Sequence, residues 1–141
     1  MSQPISILIN GVGGPTPRSV ARSVKWHSQY DHAQLIGTDI NPLAYGLYEY
    51  DLYNKTYVIP PAGKPGYWEA LEEIIDRHQI DIALVQPEKE VKIWSQRLAS
   101  GKPLPCKALI PDTALVQALL DKGIMTEHLA QTGLVPNSVV W

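Results

Sequence analysis

The sequence predicts an α/β domain of three layers, with a parallel sheet of about five strands and helices on both faces. Three observations carry this. The stretch from Ile5 to Asp39 runs through an apolar segment, a glycine turn, a segment of helical spacing and a second apolar segment, which is strand, turn, helix, strand. The same alternation continues down the chain as β-α-β-loop-β-α-β-α-β-α-α. The strand segments are apolar throughout instead of alternating, as expected of a sheet covered on both sides. Together these describe a Rossmann-like domain with right-handed crossovers.

The first strand is read from Ile5-Ser6-Ile7-Leu8-Ile9. The turn that follows, Asn10-Gly11-Val12-Gly13-Gly14-Pro15-Thr16-Pro17, has glycines that permit positive φ and close approach of a ligand or a packed helix. Thr16 is expected as the N-cap with Pro17 at the first helical position. The helix from about Pro17 to Ser28 would set Val20, Ala21, Val24 and His27 on one face, with Arg18, Arg22 and Lys25 opposite. Its free N–H groups would face the end of the first strand, a place suited to an anion. The second strand, Leu35-Ile36-Gly37-Thr38, ends in Asp39, where a dinucleotide fold keeps its ribose-binding acid. The dinucleotide pattern is incomplete: Thr16 stands where a third glycine is wanted, and Pro15 removes an N–H. The plain alternative is that the glycines let the helix pack on the strand.

Tyr45, Tyr48 and Tyr50, with Tyr53 and Tyr57 after them, form either an aromatic ligand wall or a short helix and loop whose rings cover the sheet edge. Lys55 to Ile59 reads as a third strand, stopped by Pro60-Pro61. Past the breaker Gly63-Lys64-Pro65-Gly66, the segment Tyr67 to Gln79 has the clearest helical period, with Trp68, Leu71, Ile74, Ile75 and His78 inward. Ile80 to Val85 is a fourth strand. Gln86-Pro87-Glu88-Lys89-Glu90 follows it directly, at the strand end where α/β proteins bind ligands. Glu88 and Glu90 are therefore functional candidates, or else acids that complement a helix dipole. Val91, Trp94 and Leu98 mark the next helical face, and Lys107 to Ile110 a fifth strand. Asp112 is expected to cap a helix with Leu115, Val116, Leu119 and Leu120 inward. Asp121-Lys122 opens a last helical segment to about Thr132, closed by Gly133 and Pro136.

The chain has 141 residues, enough for one domain with a real core. Its net charge of −2, without a basic stripe, argues against nucleic acid as a partner. Cys106, the single cysteine, leaves neither an internal disulfide nor a cysteine-rich zinc site, and reads as a buried or half-buried thiol. The N-terminus lacks a signal-peptide pattern and no run approaches a membrane span, so no membrane association and a cytoplasmic location are expected. No nucleophile-elbow pattern is present, and no catalytic residue or metal ligand is assigned.

Several pieces, in order and over nearly the whole chain, resemble the N-terminal pre-ATP-grasp domain of ATP-grasp ligases. Proteins similar to the carbamoyl phosphate synthase large subunit match best. The pieces are Ile7-Leu8-Ile9-Asn10-Gly11-Val12-Gly13-Gly14, Ile36-Gly37-Thr38-Asp39-Ile40-Asn41-Pro42-Leu43-Ala44, Asp51 with Tyr57-Val58-Ile59-Pro60, Ile80 to Glu88, and Asp121-Lys122 leading into Glu127 to Pro136. The resemblance implies an enzyme that uses ATP and magnesium to activate a carboxylate as an acyl phosphate, which an amine, thiol or similar nucleophile attacks. It implies that residues 1–120 form the pre-ATP-grasp domain and that 121–141 begin the ATP-grasp domain. It makes Lys122 the candidate nucleotide contact, a mobile point charge near phosphate, although Met125 stands where the family often has threonine. Gly11, Gly13, Gly14, Asp39 and Glu88 become the candidate substrate contacts.

The lid, the second phosphate-binding lysine and the metal ligands of such a ligase are not found before Trp141. The expectation is an N-terminal piece that folds, binds no cofactor alone and does not catalyse. Its partners would be a small carboxylate or amine substrate and an ATP-grasp domain in cis. An apolar surface left bare for that domain would also allow a homodimer. The competing reading is a stand-alone Rossmann-like module that holds a nucleotide or dinucleotide at the glycine turn.

Overall fold

A computed structural model describes residues 4–135. Five strands, β1 (Ser6–Asn10), β2 (Gln34–Asp39), β3 (Lys55–Val58), β4 (Ile82–Leu84) and β5 (Lys107–Leu109), form one sheet. Its order is β3-β2-β1-β4-β5 and every pairing is parallel. The helices are α1 (Pro15–Trp26), α2 (Tyr67–His78), α3 (Glu88–Ala99), α4 (Thr113–Leu120) and α5 (Lys122–Ala130), with a 3₁₀ helix over Tyr45–Tyr48. The Rossmann-like, three-layer α/β fold expected from the sequence is the fold observed. Among the described residues no helix is long and apolar enough to cross a membrane.

The alternation of side chains along the central strand divides the core into two. Leu8 points toward Tyr67, Leu71, Ile75 and Trp94 of α2 and α3. Its neighbours Ile7 and Ile9 point the other way, toward Ala21 of α1, Leu47, Leu52 and Tyr53. Both faces of β1 are thus covered, which is why its sequence reads as an unbroken apolar run. Each fully buried Leu or Ile here contributes about 1.5–3 kcal/mol relative to exposure.

Several boundaries and faces differ from expectation. The first helix begins at Pro15, with Gly14 as its N-cap and no side-chain cap hydrogen bond, so Thr16 is not the cap. The fixed φ of Pro15 suits the first helical position as well as that of Pro17 does. His27 lies past the helix and is exposed, and Pro17 and Ala21 form the buried part of the face. In α2 the fully buried ring is Tyr67; Trp68 is half-buried, with the Arg97 guanidinium 4.3 Å from its ring centroid. The short helix expected in the tyrosine segment forms as the 3₁₀ helix, but of its rings and those after it only Tyr53 is buried against the sheet, while Tyr45, Tyr48 and Tyr50 are exposed. Of the inward positions expected in α4, Val116 is buried while Leu115 and Leu119 are exposed, and Leu98 of α3 is exposed as well. Asp112 does cap α4, accepting from the Leu115 N–H at 2.9 Å. Pro136 and the Val139-Val140-Trp141 end lie outside the described residues.

Candidate functional site

In this strand order the chain leaves β1 toward β2 on one side and later returns to β4 on the other. The loops after β1 and β4 therefore diverge and leave a crevice at the carboxyl ends of the strands. A cavity of about 540 Å³ occupies it. Gly11, Asp39 and Glu88 line it together with Ile40, Pro61, Ala62, Lys64, Pro87, Lys89 and Glu90. Three of the expected substrate contacts, drawn from three separate loops, thus share one cavity. Gly13 and Gly14 are not among its lining residues.

The glycine turn is organised by its own hydrogen bonds. The Gly11 and Val12 N–H groups both donate to the Thr38 carbonyl, at 2.7 and 3.1 Å, and the Gly14 N–H donates to the Gly11 carbonyl at 2.9 Å. The Gly13 N–H donates to Asp39 Oδ2 at 2.7 Å, and Asp39 Oδ1 accepts from the Asn41 N–H at 2.9 Å. Asp39, almost fully buried, ties the turn after β1 to the turn after β2. With Pro15 and Pro17 lacking N–H groups, the start of α1 offers a phosphate few free donors. Gly11 has φ of +71° and sits so close to Pro87 that a Cβ there would overlap the proline ring. That contact brings the β1 and β4 loops together at the floor of the crevice.

Beneath the crevice lies a buried polar chain. Glu90, 3% exposed, accepts on Oε2 from Asn10 Nδ2 at 2.5 Å and from the Tyr67 hydroxyl at 2.6 Å. The Tyr67 oxygen in turn accepts from Trp94 Nε1 at 2.9 Å. Burial pushes the Glu90 carboxyl above the ordinary carboxylate range, against the pull of its Tyr67 and Asn10 donors. Burial, and then the Glu90 charge, raises the Tyr67 hydroxyl. Asn10 Oδ1 and Thr38 Oγ1, at the ends of β1 and β2, are buried with no partner among the described residues.

Asn10, Tyr67 and Trp94 were not singled out as site residues from the sequence. One signal was present: Glu90 and Trp94 are four residues apart on one helix, so an inward Trp94 carries Glu90 inward with it. Nothing local marked Asn10 or Tyr67, which reach Glu90 from 80 and 23 residues away.

Lys122 lies elsewhere, exposed at the start of α5, where Asp121 caps the helix by accepting from the Gly123 and Ile124 N–H groups. Among the described residues no group of three or more His, Cys, Asp or Glu side chains is placed to hold a metal ion. ATP with magnesium needs several oxygen ligands and more than one cation, so the described residues do not by themselves fit that cofactor. A larger hollow of about 970 Å³ lies between α1 and the tyrosine segment. Its cations are already engaged: Arg18 pairs with Glu49 at 2.8 Å and Lys25 Nζ donates to the Ala33 carbonyl at 2.6 Å. The strand-end crevice is the stronger candidate, because residues that follow β1, β2, β3 and β4 all line it and a buried carboxylate is among them. No protein-family model matches this chain, and neither does any curated protein.

Proposed function

We propose that this chain is the substrate-side domain of an ATP-dependent carboxylate ligase of the ATP-grasp type, inactive without the domain that binds ATP. The observation that most supports this is the convergence of Gly11, Asp39 and Glu88 on one crevice at the switch point of the sheet. In this reading the crevice holds the acceptor or carboxylate substrate, and Lys122 points the chain toward the nucleotide. The exposed Leu109, Leu115, Leu119, Ile124 and Leu134 fit a surface that a following domain covers. The α5 helix, which buries none of its residues, fits the start of that domain. A dinucleotide module is less supported, because the turn's own amides are committed within the fold.

The test is to express the full natural reading frame that carries this sequence. It is supplied with ATP, magnesium, a panel of carboxylates and hydroxylamine as nucleophile. Hydroxamate formation with phosphate release, dependent on one carboxylate class and lost in Lys122→Ala, is the expected result. A frame that adds no further domain, or one that forms no hydroxamate with any carboxylate, sinks the reading.

A further inference from the structure

The ligase reading leaves the class of substrate open, and the charges around the crevice narrow it. Glu90 lines the cavity while being 3% exposed, and both of its hydrogen bonds fall on Oε2. Its Oε1 accepts no hydrogen bond among the described residues and is left for a ligand in the cavity that Glu90 lines. A buried carboxylate against apolar walls is costly unless a proton or a cation meets it. The exposed Glu88, two residues before Glu90 at the start of α3, lines the same cavity. Asp39 does not add to this pair, since both of its oxygens accept from backbone N–H groups. Lys64 and Lys89 line the same cavity, are exposed, and form no ion pair among the described residues. Ile40, Pro61, Ala62 and Pro87 give the same cavity an apolar lining.

We propose that the crevice is a subsite for a free amino acid or an amino-acid-like zwitterion with an apolar body. Its ammonium group meets Glu90 Oε1, the Glu88 carboxylate adds to the negative potential of the same cavity, and its carboxylate faces Lys64 and Lys89. This rests on the reading of the crevice as the ligase's substrate site. An ammonium group carries three donors, one of which serves Oε1 of Glu90. A ligand with only an anionic head would leave Glu90 unmet. One with only a cationic head would leave both lysines unmet.

The test is a ¹H–¹⁵N correlation titration of the 141-residue chain with L-phenylalanine, and with its one-headed analogues 3-phenylpropanoate and 2-phenylethylamine. L-phenylalanine is expected to shift the Gly11, Glu88 and Lys89 amides and the Asn10 side-chain amide. It should bind at least about tenfold more tightly than either analogue. Glu90→Gln should weaken L-phenylalanine by about tenfold and leave 3-phenylpropanoate unchanged. Lys64→Met alters an exposed side chain and so tests the site without touching the buried chain of hydrogen bonds. It should weaken L-phenylalanine and leave 2-phenylethylamine unchanged. Equal binding of the three compounds, shifts away from the crevice, or no crevice shift with either L-phenylalanine or L-leucine overturns the proposal. The ligase reading survives any of those outcomes if the full reading frame still forms a hydroxamate, this time from a carboxylate without an ammonium group.

Discussion

At Glu90, burial and two hydrogen-bond donors act in opposite directions, and burial prevails. A carboxyl raised above its ordinary value of 4.5 binds its proton more tightly in the folded chain than in the unfolded one. Its contribution to stability is therefore fully present below that ordinary value and is lost as pH rises through the folded value. Glu90→Gln removes this dependence. Urea denaturation at about pH 4 and about pH 8 should show the variant gaining on the wild type as pH rises; a gap that is constant with pH would contradict the burial argument. Tyr67→Phe acts on the same chain. It leaves the Trp94 N–H without an acceptor and Glu90 with one donor fewer. A loss of about 2 kcal/mol or more in unfolding free energy is expected, read from the urea midpoint at unchanged slope.

Among the elements, the turn after β1 and the 3₁₀ helix are held in contact by the smallest side chains. A Cβ on Gly46 would overlap the Val12 carbonyl, and one on Gly13 would stand 2.8 Å from the Ala44 Cβ. Gly63, with φ of +78°, has nothing within 4 Å of an added Cβ. The two kinds of constraint separate in a simple comparison. Gly63→Ala introduces only left-handed strain, about 1–2 kcal/mol. Gly46→Ala introduces a clash with backbone that cannot move without shifting β1's turn, and should cost at least about 3 kcal/mol. Equal losses by thermal denaturation would mean that the Val12–Gly46 contact is loose. Gly11 combines both constraints, so its substitution should also widen the crevice by pushing Pro87 away.

For the whole molecule, stability resides in the five-stranded sheet and the two cores that flank it. The α5 helix stands apart from this arrangement, with no buried residue and a contact to α4 alone among its larger contacts. Ending the chain before Lys122 should therefore lower unfolding free energy by less than about 1 kcal/mol. A larger loss, measured by chemical denaturation, would show that α5 contributes to the core of this fold.

Sequence alone determined the order of strands and helices along the chain, the parallel sheet with helices on both faces and the placement of Gly11, Asp39 and Glu88 at strand ends. Those follow from local periodicity, from turn chemistry, and from the rule that loops after parallel strands gather on one edge. Tertiary structure decided what local pattern leaves open. It chose Tyr67 over Trp68 as the buried ring of α2, left the tyrosines of the 45–50 segment in solvent, and committed Asp39 to backbone amides of the turn. It turned Glu90 from one acid in a charged run into a buried carboxylate, because Asn10 and Tyr67 arrive from distant parts of the chain to supply the hydrogen bonds that burial requires. A sequence shows which groups are charged; only packing decides which of them lose their water.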